Sequence, residues 1–522
     1  MQKRVWVFLG LLVLCLVNKA QVNATELSQQ NTMLISPYQG ADNETDSEAE
    51  ADCRGTVIEA EGLTKVAVLS DGNRSTYLKL AEDTTIIVKH PDGLSGLYIE
   101  FDHVPQLWTL KDVRDDSNLY CGENGFLHEY VNLSALFGQT AEEVTLIFPA
   151  GTVISDIYGF SAGRLPDWVQ DWEAPLEQAD LLLFTTHSDD EQLFFSGLLP
   201  YYTMERGLRV QVAYGVQHFE AQGVANHVRP HEQLDGLWTV GVTHYPVMSE
   251  FPDLYAESKD REVALASAKE VFGKAGVTYE DMVGYLTECL RRFKPLVVVS
   301  HDLNGEYGHG AHVFLADALT RSLTAATDET QYPESAAQYG TWQVEKTYLH
   351  LYPENPIVMD YDTPYESMGS KTPFEVSQEG FGCHKSQHWT WFNKWMNGTP
   401  EAPITKASQI KSYSPCKYGL YQTEVGLDEQ GGDFFEHVKT YDVREEEVRL
   451  AEEARLKALE EEKRAREEEE RKAEEARLVA EAEKAAAEAK RQKAIWASIS
   501  VTGFLLAGGI VCLLVGHKKK QN

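Results

Sequence analysis

Apolar and polar residues are arranged in three different ways along the chain. Between Cys53 and about Gly163, short apolar runs ("TTIIVKH", "GLYIEFD", "EYVNLS", "EVTLIFPA", "VISDIYGF") are separated by turn residues, with no long amphipathic stretch among them. That spacing predicts an all-β, jelly-roll-like sandwich over 53–163. From residue 178 to about 425, strands alternate with helices: "ADLLLFTT", "LRVQVAYGV" and "KPLVVVS" have the composition of buried strands, while "HVRPHEQLDGLWTVGV" and "REVALASAKEVFGKAG" suit helices. The expected fold there is a Rossmann-like α/β domain with a mostly parallel sheet. "RLPDWVQDWEAP", within a connector at 164–177, carries two prolines and two tryptophans and is expected to pack against both neighbours. After a linker at 426–442, residues 443–494 contain no Gly or Pro and consist largely of Glu, Ala, Arg and Lys. They predict one long charged helix, a stalk, with a coiled coil as the rival because Val448, Leu456, Leu459, Leu478 and Val479 keep no clean heptad. Pairs such as Glu445 with Arg449 and Glu468 with Lys472 have the favourable acid-before-base spacing. The chain is therefore read as multidomain.

The ends carry a different pattern. "MQKRVWVFLGLLVLCLV" places Lys3 and Arg4 before an apolar stretch, with small Ala20 and Ala24 beyond, which is the layout of a signal peptide over 1–24. An acidic leader of low periodicity, expected to be disordered, occupies 25–52. Ile495 to Gly516 carry no formal charge and precede "HKKKQN", so a transmembrane helix at 495–516 with a cytoplasmic tail at 517–522 is expected. The implied location is a single-pass membrane protein with an exported body, at the cell surface or in a secretory lumen. Export makes the cysteines candidates for pairing, Cys53 with Cys121 and Cys383 with Cys416, which leaves Cys289 as a buried helical thiol. With 81 acidic against 47 basic residues and a net charge of −34, nucleic acid is excluded as the expected partner. The expected partners are a substrate, the membrane and, through the stalk, a second copy of the chain.

Two polar clusters follow strand-like runs directly. The first, after "LLLFTT", holds His187, Ser188, Asp189, Asp190 and Glu191; the second, after "LVVVS", holds His301, Asp302, Glu306, Tyr307, His309 and His312. Ligands of parallel sheets gather beyond the carboxyl ends of the strands, where both clusters fall. Two histidines and a carboxylate can hold Zn²⁺ with one position open. The same donors accept other divalent metals.

"HSDDE" followed later by "HDLNGEYGHGAH" resembles the PIG-L/LmbE-like family of zinc-dependent N-acetylglucosaminyl deacetylases, over roughly residues 178–320. Ser188 stands where that family's first motif usually has Pro. The resemblance implies that His187, Asp190 and His312 hold the metal and that Asp189 is the general base. It also implies that His309 stabilises charge in the tetrahedral intermediate and that Tyr307 lies near the substrate carbonyl. Arg229, Asp253 and Glu306 are the candidate substrate-binding residues; a surface ion pair between Arg229 and Glu232, or a bracing role for Glu306, is the alternative. "LSDGNRSTYLKL" at 69–80 resembles discoidin-like, galactose-binding-type jelly rolls, which implies either sugar binding or a spacer. The expected activity is zinc-dependent removal of N-acetyl groups from an N-acetylglucosamine-type sugar in an exported or cell-surface glycan or glycoconjugate. The rivals are hydrolysis of another amide and a glycan-binding protein with an inactive enzyme fold.

Overall fold

A computed structural model describes residues 49–114, 118–218 and 227–517. The expected signal peptide, most of the acidic leader and residues 518–522 of the expected tail lie outside the described residues. The chain divides into two compact units, Met1–Tyr441 and Asp442–Asn522.

Within the first unit, residues 57–160 form two antiparallel sheets. One has the order Val57–Glu59, Thr84–Leu94, Ala141–Phe148, Trp108–Asp112, Leu119–Cys121; the other has the order Leu78–Lys79, Val153–Phe160, Gly96–Phe101, His128–Asn132. Strand Gly96–Phe101 is buried along its whole length, which its alternating neighbours explain. Leu97, Ile99 and Phe101 face the apolar core, while Tyr98 is covered by Trp168 of the connector, with ring centroids 5.8 Å apart. A sheet face usually left to water is here an internal surface.

Residues from 181 onward build a seven-stranded sheet in the order Val247–Met248, Val210–Tyr214, Leu181–Thr185, Val297–Ser300, Lys346–His350, Lys417–Thr423, Pro356–Val358. The first five strands are mutually parallel, and Lys417–Thr423 runs antiparallel to both of its neighbours. The central strands Leu181–Thr185 and Val297–Ser300 are buried throughout because helices cover both faces, so they read as continuous apolar runs. Helix Tyr279–Phe293 starts with a capping box, in which Thr278 accepts from the Asp281 N–H and Asp281 accepts from the Thr278 N–H.

The sandwich and the α/β sheet are joined by polar as well as apolar contacts. Trp172 of the connector is buried against Trp238 and Tyr245. Arg74 donates to Glu100 at 2.6 and 3.0 Å on the sandwich side and to Asp235 at 2.5 Å on helix Val228–Thr239. Gln170 of the connector donates to Asp235 at 2.7 Å and accepts from the Trp172 indole at 2.8 Å. The ring nitrogens of His128 and His231 lie 2.6 Å apart across the same junction.

Several expectations are corrected here. Tyr441–His517 is one continuous helix that runs through both the expected stalk and the uncharged 495–516 segment. Among the described residues, no helix is long and apolar enough to cross a membrane. The transmembrane helix at 495–516, and with it the single-pass membrane location, is therefore not supported. In physical terms, the helix is charged and exposed from Glu445 to Ala494, and the uncharged run opens by interleaving Ser498, Ser500 and Thr502 with its apolar residues. Its ion pairs also differ from the expected pattern: Glu468 with Lys472 forms, but the other described pairs spaced by four run base before acid, as from Arg449 to Glu453 and Arg471 to Glu475. All are exposed, so water screens them and they add little to stability. The expected disulfides are absent too: Cys53, Cys121, Cys289, Cys383 and Cys416 are free. Cys53 packs in the cluster around Tyr98 while Cys121 pairs with Trp108 in the other sheet, and the Cys383 thiol lies 3.6 Å from the Thr239 hydroxyl. Cys289 is buried on its helix.

Glu100 is almost fully buried, so removing Arg74 leaves a buried carboxylate unpaired. Arg74→Met should destabilise the first unit by roughly 3–5 kcal/mol, read by urea unfolding, and the added change Glu100→Met should recover part of that. A single variant as stable as wild type would contradict the pairing.

Candidate active site

Both polar clusters meet at the carboxyl ends of neighbouring parallel strands. His187 follows Leu181–Thr185, His301 follows Val297–Ser300, and His350 closes Lys346–His350. His309 caps helix Gly310–Ala325 and His312 lies in its first turn. The approach requires glycine at 308: its φ is 80°, and a Cβ there would come within 2.3 Å of the Ser258 carbonyl oxygen.

Glu306 organises the cluster. It has no exposed surface and accepts hydrogen bonds from Nδ1 of His301 at 2.7 Å, His312 at 2.7 Å and His350 at 2.6 Å, as well as from the Asp302 N–H at 3.1 Å. Burial opposes its ionisation, but the His301 charge and the three imidazole hydrogen bonds outweigh burial and hold it well below the usual carboxylate range. Glu306 is therefore not a substrate contact, as one reading of the sequence had it. With every lone-pair direction committed and no surface left, it braces the histidines.

These hydrogen bonds choose tautomers. Because Nδ1 of His312 donates to Glu306, its Nε2 presents a lone pair. Nε2 of His187 lies 3.3 Å from Asp253 Oδ1, which turns the Nδ1 lone pair of His187 toward the same point. The three remaining atoms form a small triangle: His187 Nδ1 to Asp190 Oδ2 3.0 Å, His312 Nε2 to Asp190 Oδ2 3.3 Å, and His312 Nε2 to His187 Nδ1 3.1 Å. Tetrahedral ligands with bonds of 2.0–2.1 Å stand about 3.3 Å apart, so the donor set fits a Zn²⁺-sized ion. Two overlapping groups that could hold a metal, His187/His309/His312 and Asp190/His301/His312, share His312. His301 is the weaker donor, because its Nε2 already accepts the Thr186 N–H at 3.0 Å.

Asp189 points elsewhere. Its φ of 142° is strained for a residue with a side chain, at a cost of about 1–3 kcal/mol. That turn separates its carboxylate from that of Asp190, and its own N–H donates to Glu191 at 2.9 Å. Burial pushes the Asp189 carboxyl up to about 7, against the pull of Arg229. Arg229 donates to the Ser188 carbonyl at 2.7 Å and lies 3.8 Å from Asp189. It forms no surface pair with Glu232, which instead accepts from Ser386. Burial and the nearby His187 and His312 push His309 well below the ordinary histidine range. Its Nδ1 has no hydrogen-bond partner in the protein. Tyr307, in a left-handed turn at φ 50°, packs beside His309 and His312 with centroids 5.4 and 5.7 Å away.

His350 and His384 were missed by sequence reasoning. His384 is fully buried, 3.3 Å from Glu191. His350 ends the mixed strand "KTYLH", which lacks the continuous apolar run that flagged His187 and His301, and no contiguous cluster of ionisable residues follows it.

The family model described as GlcNAc-PI de-N-acetylase matches residues 182–323, which span both clusters. Residues 182–323 are a PIG-L domain. The PIG-L match takes in Leu182 to Leu323 and leaves out the sandwich, His350 and the long helix. Among curated proteins, the 1D-myo-inositol 2-acetamido-2-deoxy-alpha-D-glucopyranoside deacetylase of Kineococcus radiotolerans is 26% identical over 201 residues, covering 35% of this chain and 55% of that protein. Its counterpart, deacetylase 2 of Saccharopolyspora erythraea, is 35% identical over 171 residues, 32% of this chain and 50% of that one. The chain thus spans about half the length of these relatives. Among solved structures, the N,N'-diacetylchitobiose deacetylase from Pyrococcus horikoshii aligns with a TM-score of 0.33 at 14% identity, covering 48% of this chain and 86% of that chain.

If Glu306 sets the tautomers of the donor histidines, Glu306→Gln should weaken zinc binding about 10–100-fold, measured by competition with a chromophoric chelator. Unchanged affinity in a folded variant would remove Glu306 from that role.

Proposed function

We propose that the PIG-L domain hydrolyses the N-acetyl group of an N-acetylglucosamine-type amino sugar in a zinc-dependent reaction, releasing acetate and a free amine. The observation that carries this reading is the triangle of His187 Nδ1, Asp190 Oδ2 and His312 Nε2 beside the separately aimed Asp189. The names of the curated relatives, all deacetylases of a 2-acetamido sugar joined to inositol, support the substrate class.

Zinc held by these donors would lower the pKa of water toward about 7 and polarise the acetamide carbonyl. Asp189, with its carboxyl raised to about 7, is matched to a proton transfer near neutrality. It accepts the proton of the attacking water as the carbon–oxygen bond forms. The same proton then passes to the nitrogen as the carbon–nitrogen bond breaks, so water supplies both the oxygen of acetate and the hydrogen of the amine. Arg229 fixes the Ser188 carbonyl and thereby the strained backbone that aims Asp189. The Tyr307 hydroxyl and the imidazole of His309 would supply hydrogen bonds where negative charge develops on the carbonyl oxygen.

The test is acetate release from N-acetylglucosamine conjugates after chelation and zinc restoration. Asp189→Asn should lower the rate about 10²–10⁴-fold while zinc content stays at the wild-type level. A variant that retains the wild-type rate, or a rate indifferent to chelation, would count against the proposal.

A further inference from the structure

The region after residue 323 lies outside the PIG-L match, yet part of it reaches the site. Helix Trp391–Asn397 sets Phe392 5.5 Å and Trp391 5.9 Å from the Tyr307 ring, centroid to centroid. Tyr307 in turn is 5.7 Å from His312, so two ring-to-ring steps lead from a metal donor to Trp391. The aromatics of this segment are not all packed inside. Trp395 is partly covered and donates its indole N–H to the Ser412 carbonyl, but Trp391 is 50% and Trp389 81% exposed. Trp391 is braced from below by Phe392, with centroids 4.0 Å apart and planes inclined at 33°. On the other side of His309, Tyr255 stands 65% exposed with its ring 5.4 Å from the imidazole.

An indole held by a neighbouring ring, half open to water and adjoining a polar site, suits a ligand with one apolar and one hydroxylated aspect. A pyranose or cyclitol ring has both: axial C–H groups cover the aromatic face while the equatorial hydroxyls stay hydrated. Two ring contacts also match the offset of a neighbouring sugar from the one that carries the acetamide.

We propose that Trp391 forms a second subsite that stacks on the ring joined to the N-acetylated sugar. This rests on the deacetylase reading for the placement of the first ring. The subsite is contributed by this chain's own segment beyond the PIG-L match.

The test is calorimetric titration of the zinc-loaded full chain, carrying Asp189→Asn to prevent turnover. The probes are N-acetylglucosamine, its β1,4-linked dimer and N-acetylglucosaminyl-inositol. A two-ring probe should bind about tenfold more tightly than the monosaccharide. Trp391→Ala should bring that ratio close to one, and Trp391→Phe should keep most of it. If neither two-ring probe exceeds the monosaccharide, or if Trp391→Ala weakens all three probes alike, the subsite does not exist. Trp391-dependent binding in a protein whose wild-type form releases no acetate would sink the deacetylase reading and leave the subsite standing.

Discussion

Glu306 is a carboxylate with no exposed surface, and the geometry of the site depends on it. A bare charge in that position would cost several kcal/mol or more. It is tolerated because three imidazole N–H groups and one backbone N–H converge on its two oxygens. Those imidazoles come from the ends of two strands and the first turn of a helix, so one anion ties together elements far apart in sequence. Satisfying Glu306 consumes Nδ1 of each ring and leaves Nε2 of His312 facing Asp190. The stability of the buried carboxylate and the readiness of the donor cluster are thus one arrangement.

Asp253 does the same for His187 from the opposite side, and Arg229 does it for the Asp189 loop through the Ser188 carbonyl. Arg229 sits on helix Val228–Thr239, whose other residues His231 and Asp235 contact the sandwich and the connector. Arg74, Gln170 and His128 therefore hold the far side of the helix whose near side steadies the strained Asp189. The sandwich and the catalytic loop share that one helix. The apolar contacts of Trp172 and Phe126 with Tyr245 close the junction around this polar core.

Much of this was legible in the residues. The runs "LLLFTT" and "LVVVS" are strands because continuous β-branched and aliphatic residues suit a sheet covered on both faces, and polar residues after such runs fall where parallel strands open. Both clusters could be located that way because each is contiguous in sequence, whereas the choice of His187, Asp189, Asp190 and His312 within them came from the resemblance to the PIG-L/LmbE-like family. The charge pattern of 443–494 similarly dictated a helix, since nothing in it favours another backbone.

What the sequence by itself determined was local: which segments become strands or helices, and which ionisable groups lie at their ends. Tertiary structure alone decided the roles. Glu306 and Asp253 had the composition of substrate contacts but became partners of histidines, because burial removes water as a competitor and makes the nearest donor obligatory. His350, separated by 44 residues from Glu306, joined the network for the same reason. Cys53 and Cys121, expected to pair, were placed in different packing clusters, and the exposure that distinguishes Trp391 from Trp395 depends on which side of one short helix faces the protein. Such outcomes turn on distances between segments remote in the chain, which residue pattern does not encode.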